Sequence, residues 1–350
     1  MVVRMPRHRT PRRGGRRFAA ALILVSLLVS LPVSLLGCVG PPLPPLPRVE
    51  LQGHRGARGL APENTLAAFD AALALGVHTL ELDTVLSADD VLVVSHDATL
   101  NPNFTRDADG RYVDAPGAPI RSLSFAALQG FDVGRLRPGT GYALAHPEQR
   151  AMDGERIPSL AMLFELVRRR DAAHVRFNIE TKINPLRPEL TPPPEPFVRA
   201  VLDVARRHGM LPRITLQSFD WRTLAAAQRL APAVPTVYLS SQQPWGNNLA
   251  DPRWTAGMRL ADHGGSVPRL VKAAGGAVWS PYHGDLDAAA LQQAHSLGLR
   301  VIVWTVNEAA DIDRLLDLGV DGIISDRPDR VRSAFAARGW ALPRAYPAMR

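Results

Sequence analysis

The chain has 350 residues, 46% of them hydrophobic and 21% charged, with a single cysteine and a formal net charge of +8. That is length and apolar content for one large folded domain, and a lone cysteine excludes a disulfide framework or a thiolate metal site. The charge is local: without the seven arginines between Arg4 and Arg17, 34 of the 41 basic residues remain against 33 acids, a balance of +1 with no basic excess for nucleic acid.

Residues 1–38 read as a leader. An arginine-rich start is followed by an apolar run from Phe18 to Leu36, broken by Pro32, and then by Gly37-Cys38. A basic end, an apolar core and a small residue before the cut are the parts of a secretory signal. A membrane-spanning helix is the alternative, and Pro32 and the three serines count against it. Leu35-Leu36-Gly37-Cys38 resembles the cleavage box of bacterial lipoproteins, whose cysteine becomes the lipidated first residue. Cys38 has no disulfide partner, so lipidation gives its thiol a purpose. The resemblance implies an exported protein, anchored through Cys38 on the periplasmic side of the envelope. Val39 lacks the acid associated with inner-membrane retention, which favours the outer membrane. The proline-rich stretch 39–48 is then a semi-rigid tether.

From Val49 apolar strands and helices alternate to about residue 340. Strands are expected at 49–52, 77–85, 91–95, 175–181, 213–217, 236–239, 277–280, 301–305 and 322–325. Helices are expected up to Leu75 (capped by Asn64 or Thr65 and closed by Gly76) and at 160–170 after Ser159. Others follow at 195–208, 221–230, 267–273, 288–297, 309–318 and 328–338. Residues 98–157 break the rhythm and read as an insertion, and 240–265 is a second irregular stretch.

Apolar strands alternating with helices imply a parallel sheet covered on both faces. An open doubly wound sheet and a closed barrel both fit that pattern. The polar groups favour the α/β barrel, a (β/α)8 TIM barrel. They follow at least six strands spread over the chain: His54, Glu81 with Asp83, His96, Glu180 with Lys182, Gln217 with Ser218, and Trp304 with Asn307. Only a closed barrel brings all those strand ends to one rim.

Glu81 and Asp83 are two apart and face the same side of a strand. Glu180 lies in the same kind of setting. Three oxygen donors suit one divalent cation, Mg2+ or Ca2+; ion pairs with Arg55 and Lys182 are the alternative. His54 and His96 each close an apolar strand beside a charged residue. Two imidazoles can supply an acid and a base on opposite sides of a reacting centre. Zinc ligation is the other use for them, but their spacing matches no usual zinc pattern. His146, His174, His208, His263 and His295 fall in loops or on helices and need no function. Arg55 and Lys182 favour an anionic substrate, phosphate being the common case. Trp304 offers a flat wall or simply core packing.

These residues resemble the glycerophosphodiester phosphodiesterase family. The likeness runs through HRG (54–56), PENT (62–65), ELD (81–83), SHD (95–97), IETK (179–182), QSF (217–219), VWTVN (303–307) and GVDGIISDRP (319–328). It implies a TIM barrel with an insertion after the second catalytic histidine, and hydrolysis of glycerophosphodiesters to glycerol 3-phosphate and an alcohol. In it His54 and His96 are the acid and base, and Glu81, Asp83 and Glu180 hold the cation. Arg55 and Lys182 bind the phosphate, with Gln217 and Trp304 beside them. The family route has a glycerol hydroxyl attack phosphorus, with water opening the cyclic product. One departure stands before ELD, where the family often has an acid and this chain has His78-Thr79, a position expected to face away from the mouth. The same fold also suits a lysophospholipase D or sphingomyelinase D type enzyme. A surface-anchored binding protein with a dead barrel would lack one of these histidines or acids, and none is missing.

Overall fold

The computed structural model describes residues 45–347; the leader, Cys38 and the first part of the tether lie outside the described residues. Eight strands are parallel neighbours in chain order: Glu50–Gly53, Thr79–Leu86, Arg176–Thr181, Ile214–Ser218, Thr236–Ser240, Val278–Pro281, Arg300–Val303 and Gly322–Ser325. The first pairs with both the second (Gln52 with Thr79) and the last (Leu51 with Ile323), which closes the sheet into a (β/α)8 barrel.

The two-residue period of a strand sorts side chains between lumen and helix layer. Leu51, Leu80, Leu82, Phe177, Ile179, Leu216, Tyr238, Trp279, Val301, Val303 and Ile323 join the core under the helices. Residues of the opposite parity line the lumen, and they differ around its circumference. Gln52, Asn178 and Gln217 form a buried amide chain on one side, with Asn178 donating to Gln52 at 3.0 Å and to Gln217 at 2.8 Å. Val237, Val278, Ile302 and Ile324 form a separate apolar cluster on the other, with Trp304 packed against it.

The expected ninth strand exists but is not part of the barrel. The second barrel strand is 8 residues long and overshoots the mouth. The chain turns at Ser87–Asp90, and Leu92–Val94 returns antiparallel along it, Leu92 opposite Leu86 and Val94 opposite Thr84. A short apolar run looks the same from sequence whichever way it pairs. This return carries His96 back to the rim, with the Ser95 N–H donating to the Asp83 carbonyl at 3.0 Å.

Helices follow the expected boundaries to within one or two residues. Thr65 rather than Asn64 caps Leu66–Leu75, accepting from the Ala68 N–H at 3.2 Å, and Gly76 closes it at a φ of 91°. The insertion 98–157 builds a small core of its own from Leu100, Ile120, Leu128, Val133 and Ile157 against Val85 and Val93. It is clasped to the loop after the first strand: Gln149 donates to the Arg58 carbonyl at 2.7 Å, and the Arg150 N–H to the Leu60 carbonyl at 3.0 Å. The body also runs past the expected limit at 340, since buried Tyr346 donates its N–H to the Leu73 carbonyl at 2.8 Å.

Candidate active site

The rim gathers the expected residues. His54, Arg55, Glu81, His96, Glu180, Lys182, Gln217 and Trp304 all line one cavity of about 280 Å³ at the C-terminal ends of the strands. Asp83 lies buried beneath it, against Arg55 and Lys182. Parity explains the convergence: His54 continues the lumen-facing row from Gln52, and Trp304 the row from Ile302. The turn after the first strand is tight. Arg55 has a φ of 49° and Gly56 one of 86°, and a Cβ on Gly56 would lie 2.5 Å from the Ala68 carbonyl carbon.

Glu81, Asp83 and Glu180 are buried and offer carboxylate oxygens within 4.8 Å of one another. Ligands held at about 2.0–2.6 Å from one central ion lie at most about 5 Å apart, so the set fits a single Mg2+ or Ca2+. The alternative of ion pairing is also present. Arg55 Nε lies 3.2 Å from Asp83, while Lys182 Nζ lies 2.8 Å from Glu180 and 3.7 Å from Asp83. Those pairs leave Glu81 over: among the described residues its ion-pair partner is His54 alone, at 3.9 Å. Burial and the adjacent Asp83 push the Glu81 carboxyl well above the usual range, and burial, against the pull of Lys182, raises Glu180 to about 7. Burial also works against the Asp83 carboxylate, but Arg55 and Lys182 outweigh it and hold it well below. A buried acid cluster short of positive charge is one that a divalent cation would complete.

Each imidazole is oriented by a carboxylate. His54 Nδ1 lies 2.6 Å from Asp326 Oδ1, and His96 Nδ1 lies 2.9 Å from Asp97 Oδ1. In each case the other ring nitrogen is left for the cavity. Burial lowers His54 to about 4, against the opposing pull of Asp326. His96 is lowered too, first by burial and then by Arg55 and Lys182, although its side chain keeps 32% exposure at the mouth.

Asp326 was not among the residues singled out from the sequence. Arg58 grips it through Nε and Nη2, both at 2.8 Å, and the Asn307 amide donates to it at 2.8 Å. Burial opposes its charge, yet Arg58 and His54 hold it well below the usual carboxylate range. The signal was available, because Asp326 continues the lumen-facing row from Ile324 just as His54 continues that from Gln52. Glu63 and Asn64 were also missed. Glu63 accepts from Arg55 at 2.7 Å and Asn64 donates to Asp83 at 2.9 Å, so the PENT segment braces both. The insertion adds Tyr142, hydrogen-bonded to Glu63, and His146, whose Nε2 lies 3.9 Å from Asp326. No local signal marks His146, which follows a short helical turn of the insertion.

Gln217, which lines the cavity, also has a bracing role. Its amide donates to Glu81 at 2.6 Å and accepts from Asn178 at 2.8 Å, so in this geometry it braces a carboxylate from below. His78 faces away from the mouth as expected, its Nδ1 accepting from the Leu51 N–H at 3.0 Å.

Comparison with known proteins gives one answer. A family model for the glycerophosphoryl diester phosphodiesterase family matches residues 54–330. A glycerophosphodiester phosphodiesterase of Caldanaerobacter subterraneus is 27% identical over 277 residues, covering 79% of this chain and 93% of that one. One from Bacillus subtilis is 29% identical over 287 residues, covering 81% and 85%. The crystal structure of a Silicibacter pomeroyi protein described as a glycerophosphoryl diester phosphodiesterase superposes with a TM-score of 0.75 at 36% identity, covering 84% of this chain and 95% of that one. A phosphodiesterase of Oleispira antarctica, solved in complex with sn-glycerol-3-phosphate, shares the fold with a TM-score of 0.61 at 24% identity, covering 83% and 97%. With two carboxylate-held imidazoles and a triad of acids on one barrel rim, the chain belongs to the glycerophosphoryl diester phosphodiesterase family, whose members hydrolyse phosphoric diesters.

Proposed function

We propose that this protein hydrolyses glycerophosphodiesters to glycerol 3-phosphate and an alcohol, with one divalent cation held by Glu81, Asp83 and Glu180. The observation that carries the reading is the meeting of His54, His96, Glu81 and Glu180 in one cavity, with Lys182 and Arg55 beside them. The cation, when bound, would polarise the phosphoryl oxygens and draw charge off phosphorus. Arg55 and Lys182 hold the phosphate by charge. His54, neutral and with Nδ1 turned to Asp326, takes a proton at Nε2 from the attacking hydroxyl. His96, open to solvent and paired with Asp97, gives a proton to the leaving alkoxide; water then opens the cyclic phosphate with the two roles reversed, which yields glycerol 3-phosphate and restores both imidazoles. The glycerol 3-phosphate bound to the Oleispira antarctica protein of the same fold is consistent with that product. A cavity of about 280 Å³ is small among ligand sites and suits a water-soluble diester better than a lysophospholipid, the second reading.

The test is hydrolysis of glycerophosphocholine by the mature domain. Turnover should stop on treatment with EDTA and return with Mg2+ or Ca2+; turnover that ignores the chelator removes the cation from the mechanism. His54→Ala and His96→Ala should each lower kcat about 10²–10⁴-fold. A variant close to wild type would reject that residue's role.

The leader and Cys38 support export with a lipid anchor on the periplasmic side, favouring the outer membrane. The full chain should then partition into detergent in Triton X-114 extracts, and Cys38→Ser should move to the aqueous phase. Equal partitioning of the two would reject the anchor.

A further inference from the structure

The apolar side of the lumen ends in a group of rings that the chemistry above does not use. Phe219, Trp245 and Trp304 line the cavity on the side facing the apolar cluster. Phe219 and Trp245 each stand nearly perpendicular to Trp304. Phe219 and Trp304 are 5.3 Å apart at 90°, and Trp245 and Trp304 are 6.2 Å apart at 79°. Tyr282 stands behind, 5.2 Å from Trp245 at 85° and 5.5 Å from Trp304.

Trp245 is 63% exposed, an unusual place for the largest apolar side chain. It is nevertheless held. It follows Pro244 at the tip of a small hairpin, in which Gln242 pairs with Asn247 and Gln243 with Gly246. Asp285 ties that hairpin down, accepting from the Gln242 N–H at 2.8 Å and from the Gln243 amide. The Tyr282 N–H donates to the Ser240 carbonyl at 2.9 Å, and the Trp304 indole to the Ser280 carbonyl at 3.0 Å. The irregular stretch after residue 240 is thus built to bring an indole to the mouth.

We infer that Phe219, Trp245 and Trp304 form a subsite for the quaternary ammonium of a choline phosphodiester, which rests on the hydrolytic reading given above. Rings at right angles make a corner that presents π faces to one point, the arrangement that attracts a diffuse cation. A flat sugar or a straight acyl chain would be better served by a slot between parallel rings. The lining on this side, Phe219, Leu239, Trp245, Trp304, Thr305 and Ile324, contains no carboxylate. A primary ammonium, which needs several hydrogen-bond acceptors once desolvated, would find almost none. A trimethylammonium needs none. Lys182 lies over the Phe219 ring at 5.8 Å, so the corner adjoins the charge that would hold the phosphate. A phosphate held at Lys182 would stand beside Phe219, with the short choline arm directed to Trp304 and Trp245.

The experiment compares kcat/KM of the metal-supplemented enzyme on glycerophosphocholine, glycerophosphoethanolamine and lysophosphatidylcholine. Wild type should favour the choline diester over the ethanolamine one by about three- to tenfold. Trp245→Leu, which keeps an apolar group but no π face, should abolish that ratio. Trp245→Phe should keep most of it, and Asp285→Asn, which slackens the hairpin, should lose part. Comparable turnover of lysophosphatidylcholine would place the same headgroup recognition at a lipid source, and its absence at a soluble one. Independently of turnover, choline should quench tryptophan emission in wild type and not in Trp245→Leu. No choline preference in an active enzyme, a preference untouched by Trp245→Leu, or no quenching in an inactive one would overturn the inference. Failure to cleave any diester while quenching persists would instead overturn the hydrolytic reading alone.

Discussion

His54 works only as part of a chain of contacts. Its Nδ1 is held 2.6 Å from Asp326, which is gripped in turn by Arg58 at 2.8 Å. That contact fixes which ring nitrogen faces the substrate, and burial brings the imidazole to about 4, so it stays a free base well below neutral pH. Asp326→Asn should therefore lower kcat by about 10²-fold or more while leaving KM nearly unchanged. Steady-state kinetics on glycerophosphocholine check this, and a variant that mainly raised KM would show Asp326 acting on binding instead. The histidine was legible because it closes an apolar strand. Its partner lies 272 residues away, and nothing in either local segment names the other.

At the scale of elements, two helix caps of the same chemistry have different neighbours. Ser159 caps Leu160–Arg169, accepting from the Met162 N–H at 3.2 Å. Thr65 caps Leu66–Leu75 directly after Glu63 and Asn64, and also donates to the Pro62 carbonyl at 2.6 Å. Each cap is worth about 1 kcal/mol. Ser159→Ala should lose that stability in urea unfolding and keep its kcat. Thr65→Ala should lose a similar amount and kcat as well, because Glu63 and Asn64 hold Arg55 and Asp83. Equal activity in the two variants would separate the cap from the site. Ser159 was visible as a hydroxyl before an apolar helix, while the first helix left Asn64 and Thr65 both open as its cap. The hairpin that returns His96 was not visible, since its strand runs against the barrel direction while its composition is that of any buried strand.

Across the whole molecule the two ends of the barrel answer to pH differently. His78 sits at the end away from the mouth, half-buried, and burial lowers it to about 4 from an ordinary 6.5. As pH falls the unfolded chain therefore takes up this proton first. Stability from this group is complete above about 6.5, declines between about 6.5 and 4, and is fully lost below. His78→Asn keeps an acceptor for the Leu51 N–H and cannot titrate. Its melting temperature should fall less than that of wild type across this window, as followed by circular dichroism. Parallel curves would show that His78 is not a source of the acid sensitivity.

The sequence by itself determined the alternation of strand and helix, the helix caps, and the row of polar residues at strand ends. Each of these follows from local chemistry: side-chain parity, a capping hydroxyl, an apolar run ended by a charge. Parity alone put Glu81 and Asp83 on one side of their strand. Tertiary structure decided what depends on partners far along the chain. It set the direction in which Leu92–Val94 pairs, the carboxylate that holds His54, and the use of the Gln217 amide on Glu81. It also brought Tyr142 and His146 from the insertion to Glu63 and Asp326. Contacts of that kind are set by closure of the barrel and docking of the insertion, and no short window of residues encodes them.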